Sequence, residues 1–290
     1  MKIPGQQIAR FLERIEKKEI RKLNKEKRKK LTLAVVLVGN SPEQLSFVKI
    51  KKKLAKKLAI KFDLIHLKRT PSFEKFMHLV KEKAVDAKTG GIIIQQPLPS
   101  QLQTDCLYDF LPLDKEIEGH HRKTSFLPPI GLATITLLKY VFANGKIDSH
   151  LLVDPKADRT LMKRALRNKK VVLLGRGFTG GRPVGKTLSY FGINFINVNS
   201  ATPNPTEYLK QADIIISAVG KKVISPEMLK PGVVLINVGL RREGNQLKGD
   251  YEEKEIQKIA SYYTPTPGGI GPLDSLYLYH NLIQAVKLQK

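Results

Sequence analysis

Short runs of uninterrupted apolar residues alternate along this chain with longer stretches in which apolar positions recur every three to four residues. The run at 31–39 is apolar throughout, as expected of a strand covered on both faces in a parallel sheet. A charged stretch over residues 6–29 precedes it, with Ile8, Leu12 and Ile15 at helical spacing. Further helices are predicted near 42–58, 72–83 and 130–140, with strands near 62–67 and 91–95. After Asn168-Lys169-Lys170 the alternation resumes. A strand at 171–174 leads through a glycine-rich turn into a helix ending near Phe191, followed by strands at 194–198, 214–219 and 233–238, a short strand at 262–264 and a C-terminal helix from Leu273 to Leu288. Such β-α alternation builds parallel sheets with helices on both faces, so the predicted class is α/β, doubly wound, in two domains.

Between the two series, residues 144–168 are polar and charged, with Asp154-Pro155 as a turn signal, and are expected to form a surface excursion. With 290 residues and 41% hydrophobic content, the chain can bury two cores of ordinary size. Its single cysteine, Cys106, excludes an internal disulfide framework. No apolar run approaches the ~20 residues of a membrane helix, and Met1-Lys2-Ile3-Pro4 does not open a secretory signal. A soluble, cytoplasmic protein is expected.

The formal charge of +25 is uneven, since residues 1–60 hold 18 Lys or Arg against five Asp or Glu. A basic field attracts polyanions. Yet Lys17-Lys18, Lys27-Arg28-Lys29-Lys30 and Lys56-Lys57 fall on amphipathic segments without interleaved aromatics, which suits a solvated face better than an RNA surface. A positive surface would also draw in an anionic substrate tail or a cofactor phosphate.

Three motifs carry candidate chemistry. Gly175-Arg176-Gly177-Phe178-Thr179-Gly180 fits G-x-G-x-x-G between a predicted strand and a helix, with Gly181 and Pro183 in the first helical turn; backbone N–H groups there can hold a phosphate. An NAD site would add an acidic residue about twenty positions on. Here Asn197-Val198-Asn199-Ser200 follows and no acid appears before Glu207, which favours NADP over NAD. In the second motif, Phe47 and Lys51 stand four apart on a predicted helix and share a face, and Gln95 ends a buried strand where open α/β sheets place ligands. Gln95 reads equally well as a strand-end cap. The third is the loop Tyr263-Thr264-Pro265-Thr266-Pro267-Gly268-Gly269-Ile270-Gly271-Pro272, whose prolines and glycines neither coil into a helix nor pair as a central strand. His120-His121 lacks a second cluster at ligand spacing, so no metal site is predicted.

Taken with Gln95-Gln96-Pro97-Leu98-Pro99 and Lys115-Glu116-Ile117-Glu118-Gly119, these motifs resemble the methylenetetrahydrofolate dehydrogenase/methenyltetrahydrofolate cyclohydrolase family. The resemblance implies a folate-binding catalytic domain of residues 1–142 completed by 273–290. It also implies a Rossmann-type NAD(P)-binding domain at 143–272, with an insertion near 144–168 and an active cleft where the domains meet. It further implies Lys51 as acid/base, Gln95 orienting it, and Phe47, Glu118, Pro267, Gly268 and Gly269 on the folate. On the cofactor it places Gly175, Arg176, Gly177, Gly180, Gly181, Pro183, Ser200 and Ile270, with Arg176 and Ser200 on the 2′-phosphate, and it suggests a homodimer. Departures stand at Phe47, where the family has Tyr, at Glu118 for Asp, at Leu127-Pro128-Pro129 for Cys-Thr-Pro and at Asn237 for Asp. Loss of a phenol beside Lys51 bears on ring opening more than on hydride transfer. Two other readings remain: a polyanion-binding protein on a retired enzyme scaffold, and a dehydrogenase of the same fold acting on another substrate.

Overall fold

The computed structural model describes residues 1–27, 31–104, 106–244 and 246–289. Residues 28–30 of the basic run noted above lie outside them. In chain order the elements are α1 (Gly5–Glu26), β1 (Thr32–Val38), α2 (Pro42–Leu58), β2 (Lys61–Leu67), α3 (Phe73–Val85), β3 (Gly91–Ile94), α4 (Pro129–Phe142) and α5 (Ala157–Ala165). They continue with β4 (Val171–Leu174), α6 (Gly181–Tyr190), β5 (Ile196–Val198), α7 (Pro205–Gln211), β6 (Ile214–Ser217) and β7 (Val234–Asn237). The last are β8 (Arg241–Glu243), β9 (Gln246–Lys248), α8 (Glu253–Ile256), β10 (Tyr262–Tyr263) and α9 (Gly271–Leu288).

Two compact units result, one of residues 13–129 with 275–290 and the other of residues 1–12 with 130–274. Compared with the expected division, residues 1–12 and 130–142 pack with the nucleotide-type sheet. Backbone pairing explains the first of these: Ile3 N–H donates to the Tyr263 carbonyl at 2.8 Å, Tyr263 N–H donates to the Met1 carbonyl at 3.0 Å, and Gly5 lies so close to the loop that a Cβ there would sit 2.0 Å from the Gly269 oxygen. Gly131 of α4 meets Thr187 of α6 as tightly.

In the unit of residues 13–129 and 275–290, three parallel strands run in the order β2-β1-β3. Strand β1 is buried along its whole length. Its alternate residues serve two cores: Leu33, Val35 and Leu37 join Val48, Leu58 and α9, whereas Ala34, Val36 and Val38 join Phe76 and Val80 of α3 and Leu107. Each such buried Val or Leu side chain contributes about 1.5–3 kcal/mol. Helix α2 starts on Pro42, whose missing N–H costs nothing in a first turn, and ends at Ala59 in the left-handed region (φ +58°), whose N–H caps the Ala55 and Lys56 carbonyls.

In the other unit, five parallel strands run in the order β10-β7-β6-β4-β5. Chain progression changes direction at β4, between β5 and β6, so the carboxyl ends of β4 and β6 form the switch point at which open α/β sheets bind ligands. The segment 144–168 is not a plain polar excursion. It holds α5 and buries Leu151, Val153, Met162 and Leu166. A buried ion pair anchors it, Lys139 Nζ to Asp158 Oδ2 at 2.5 Å, and the same oxygen accepts from the Asp154 N–H at 2.9 Å. No helix among the described residues is long and apolar enough to cross a membrane.

Candidate active site

Helical register decides which lysine of α2 is special. Lys49, Lys52, Lys53, Lys56 and Lys57 are exposed, whereas Gln44, Phe47, Val48 and Lys51 lie on the buried or half-buried face. Lys51 Nζ donates to Gln95 Oε1 at 2.7 Å, and the Tyr279 hydroxyl of α9 donates to the Lys51 carbonyl at 2.6 Å, which ties the backbone there. Gln95 is one residue beyond β3, its N–H bonded to the Val36 carbonyl at 2.9 Å, and is itself buried. Thus the Lys51 amine, with one N–H committed to a neutral amide, sits at the carboxyl edge of a buried parallel sheet.

Glu118 reaches the same edge by another route. Residues 115–119 run parallel to β3 through the Ile92–Glu116 bridge, and Ile92 N–H donates to the Lys115 carbonyl at 2.9 Å, which sets Glu118 beside the end of β3. Buried Glu116 shapes the turn, accepting from the Glu118 N–H at 2.8 Å and the His121 N–H at 3.3 Å. Asn281 of α9 clamps it by donating to the Ile117 and Leu127 carbonyls at 2.8 and 2.9 Å. Gly119 is required here, because its φ is +78° and a Cβ would lie 2.7 Å from the Pro128 nitrogen. The His120 ring packs against Tyr108 at 4.6 Å between centroids.

In the nucleotide-type unit, Gly175 has φ +102° and lies so close to the turn after β6 that a Cβ would meet the Ala218 oxygen at 2.6 Å. A Cβ at Gly181 would lie 2.3 Å from the Gly175 oxygen, so α6 begins against the turn itself, with Pro183 buried in its first turn. Neighbouring strand ends carry the other candidates. Gly175 N–H donates to the Val198 carbonyl at 2.8 Å and Asn197 Nδ2 donates to the Gly175 carbonyl at 3.0 Å, leaving Arg176 and Ser200 exposed on adjacent strand ends. Pro267, Gly268 and Gly269 follow β10, and Ile270 is buried at the start of α9.

A buried polar network behind this edge was not legible from residue order. Asp250, fully buried, accepts from Ser217 Oγ at 2.5 Å and from the N–H groups of Val219 and Gly220 at 2.9 and 2.8 Å. Asn237 accepts from the Asp250 N–H at 2.8 Å and donates to the Gly239 carbonyl and Thr266 Oγ1 at 2.7 and 3.1 Å. It thereby ties the proline/glycine loop to the turns after β6 and β7. A cavity of about 710 Å³ opens beside this loop between Lys248, Tyr251, Glu253 and Pro267. Among the described residues, no three His, Cys, Asp or Glu side chains converge as a metal site.

Residues 3–118 match the family profile of the tetrahydrofolate dehydrogenase/cyclohydrolase catalytic domain, and residues 155–290 that of its NAD(P)-binding domain. The chain belongs to this family. The bifunctional protein FolD of Staphylococcus carnosus is 31% identical over 299 residues, spanning 99% of this chain and 97% of the relative. That of Staphylococcus epidermidis RP62A is 33% identical over 293 residues with the same coverage. Among solved structures, the bifunctional enzyme FolD-methylenetetrahydrofolate dehydrogenase/cyclohydrolase from Campylobacter jejuni superposes with a TM-score of 0.87 at 27% identity, covering 100% of this chain and 99% of the other.

For a member of the tetrahydrofolate dehydrogenase/cyclohydrolase family, the glycine turn is the place to test for a dinucleotide, and the residues present fit one. A Cβ added at Gly177 meets nothing within 4 Å, so the backbone there faces open space at the start of α6. There its N–H groups and the helix dipole can receive a phosphate.

Proposed function

We propose that this protein oxidises 5,10-methylenetetrahydrofolate to 5,10-methenyltetrahydrofolate with NADP, and then hydrolyses the methenyl compound to 10-formyltetrahydrofolate at a reduced rate. The single observation that carries the reading is the 2.7 Å contact from Lys51 Nζ to Gln95 Oε1 at the end of a buried strand, in a chain that matches the family along nearly its whole length.

Bound NADP supplies the hydride acceptor; the protein's part in that half-reaction is to bind, align and exclude water. The N–H groups at Gly177 and Gly181 would hold the pyrophosphate, Gly175 and Gly180 shape the turn that presents them, and Pro183 and Ile270 pack alongside. Arg176 and Ser200 would take the 2′-phosphate, for which a guanidinium offers a fork of charge-assisted donors. With no carboxylate between β5 and Glu207 to hold a ribose 2′-OH, NADP is preferred to NAD.

Ring opening asks more of side chains. Water adds to the methenyl carbon as the amine of Lys51 takes one of its protons; that proton passes to the departing ring nitrogen as the C–N bond breaks, and the adduct's hydroxyl proton leaves to solvent as the formyl C=O forms. Gln95 holds Lys51 in place, and Glu118 accepts from the amidine edge of the pterin. At Phe47, one helical turn from Lys51, a ring contact is kept but a hydroxyl that could share the proton traffic is absent, which slows hydrolysis by an amount on the order of 10²-fold. The family resemblance supports a homodimer, and the lone thiol Cys106 supports a cytoplasmic location.

Purified protein with methylenetetrahydrofolate and NADP, then NAD, tests this directly. Nicotinamide reduction should favour NADP by at least roughly 10-fold, the value of one charge-assisted hydrogen bond, with methenyl absorbance decaying more slowly than it forms. Absence of reduction with either nucleotide refutes the reading, and light scattering that gives a monomer refutes the dimer.

A further inference from the structure

Behind the Lys51–Gln95 pair lies another layer of polar side chains, and we propose that Tyr108 is a positioning residue for ring opening, acting through Gln96 on Gln95. The inference rests on the roles assigned to Lys51 and Gln95 above. Two bonds orient the Gln95 amide: Oε1 accepts from Lys51 at 2.7 Å and Nε2 donates to the Gln96 carbonyl at 2.8 Å. Were the amide turned over, its NH₂ would face the N–H that Lys51 now donates and its oxygen a carbonyl, so the Gln96 carbonyl decides which end meets Lys51.

The Gln96 side chain in turn sets the place of that carbonyl by bridging the turn. Its Oε1 accepts from the Leu98 N–H at 3.1 Å and its Nε2 donates to the Tyr108 hydroxyl at 3.0 Å. Gln44, which shares the inward face of α2 with Phe47 and Lys51, grips the turn from the other side by donating to the Pro97 carbonyl at 2.5 Å. Tyr108 is a firm anchor. It is 5% exposed, its ring lies against His120 at 4.6 Å, and its hydroxyl donates toward the Ile94 carbonyl at 3.4 Å. Burial, reinforced by the charges of Glu118 and Glu116, pushes the phenol well above its ordinary range, so it stays protonated at any working pH. A neutral hydroxyl that accepts from Gln96 and donates to Ile94 is what the brace needs, and a phenyl ring supplies neither function.

Tyr108→Phe keeps the ring and deletes the hydroxyl. Methenyl hydrolysis should lose roughly 10-fold in kcat, the effect of a misplacement of well under an ångström, with KM for the methenyl compound and kcat for NADP reduction each within about twofold. Gln96→Met should reproduce this loss, and the double variant should be no worse than either single one. Equal losses in both half-reactions, unchanged hydrolysis, or additive losses in the double variant would each overturn the proposal. A crystal structure of Tyr108→Phe provides a readout independent of turnover: Gln95 should withdraw from Lys51, and a contact kept at its present length refutes the brace. A wild-type protein without hydrolase activity would instead refute the assignment of Lys51, and the crystal structure would still decide the brace.

Discussion

Asp250→Asn offers a direct test of how the nucleotide edge is held. One carboxylate oxygen takes Gly220 N–H at 2.8 Å and the other takes Val219 N–H and Ser217 Oγ at 2.9 and 2.5 Å. An asparagine presents only one oxygen, so whichever way it turns, its NH₂ faces a backbone N–H. Ser217 can rotate its hydroxyl to accept; the amide cannot adapt. Leaving one part-buried N–H without an acceptor costs about 1–3 kcal/mol, and the remaining bonds lose their charge assistance, for a total of about 2–4 kcal/mol. In a unit of this size that lowers Tm by roughly 5–15 °C. The displaced turn is the one that Gly175 touches at Ala218, so NADP affinity should fall as well, by about 10-fold or more at a temperature where the variant remains folded. Differential scanning calorimetry and fluorescence titration with NADP measure the two effects separately. A variant that melts with the wild type and binds NADP equally well would show that the network neither stabilises the unit nor shapes the turn.

Phe47→Tyr should raise methenyl hydrolysis by about 10-fold or more with the dehydrogenase rate unchanged, measured on the two half-reactions in one cuvette, because the hydroxyl joins proton transfer and not hydride alignment. Gly177→Ala and Gly181→Ala should part company: the first projects into open space, melting within about 2 °C of wild type yet losing NADP affinity in titration, whereas the second drives a methyl to 2.3 Å from the Gly175 oxygen and should lose stability. Asp213 gives the pH limb. The hydrogen bond from Lys230, followed by the Lys170 N–H and the nearby lysine charges, holds its carboxyl below the ordinary range. Its folded pKa lies under the unfolded one, so its contribution, under about 1 kcal/mol after screening, is present at neutral pH and lost as pH falls from about 4 through the folded value. Asp213→Asn should flatten that part of the acid unfolding curve without altering its alkaline side.

Local pattern reached furthest where one element carries its own instructions. Helix α2 was expected at 42–58 and is found at Pro42–Leu58, since a proline opens it and its apolar spacing continues to the last turn. Strand β4 was likewise expected at 171–174 and lies there, bounded by lysines and glycine. Helix α5 is not legible in the chain because its nine residues bury only Met162 and Asp158, and the partner of that carboxylate, Lys139, stands nineteen residues earlier. At the candidate site, Lys51 could be singled out by register and by resemblance. The partners that hold it could not: Gln44, Gln96 and Tyr108 are ordinary polar residues in the chain, and only folding brings a helix, a strand end and a short turn to one place. The same holds for residues 1–3, whose pairing with β10 joins positions about 260 residues apart.

Charge and chemistry share helix α2 without sharing a face. Its exposed lysines would serve a polyanion-binding surface equally well whatever lay beneath them, and such a surface would place no demand on the inward positions. Yet those inward positions are the specified ones: a lysine held by a buried amide, that amide held by a backbone carbonyl, and the turn around it tied by Gln44 and Gln96. Burying polar groups in mutually satisfied sets is costly to arrange and gains nothing for a solvated face. A chain selected only to attract anions would have no reason to retain them, whereas one that moves a proton at Lys51 does. The basic field then acts on approach, raising the local concentration of anionic folate and nucleotide, and its effect on kcat/KM should fade with added salt while kcat stays level.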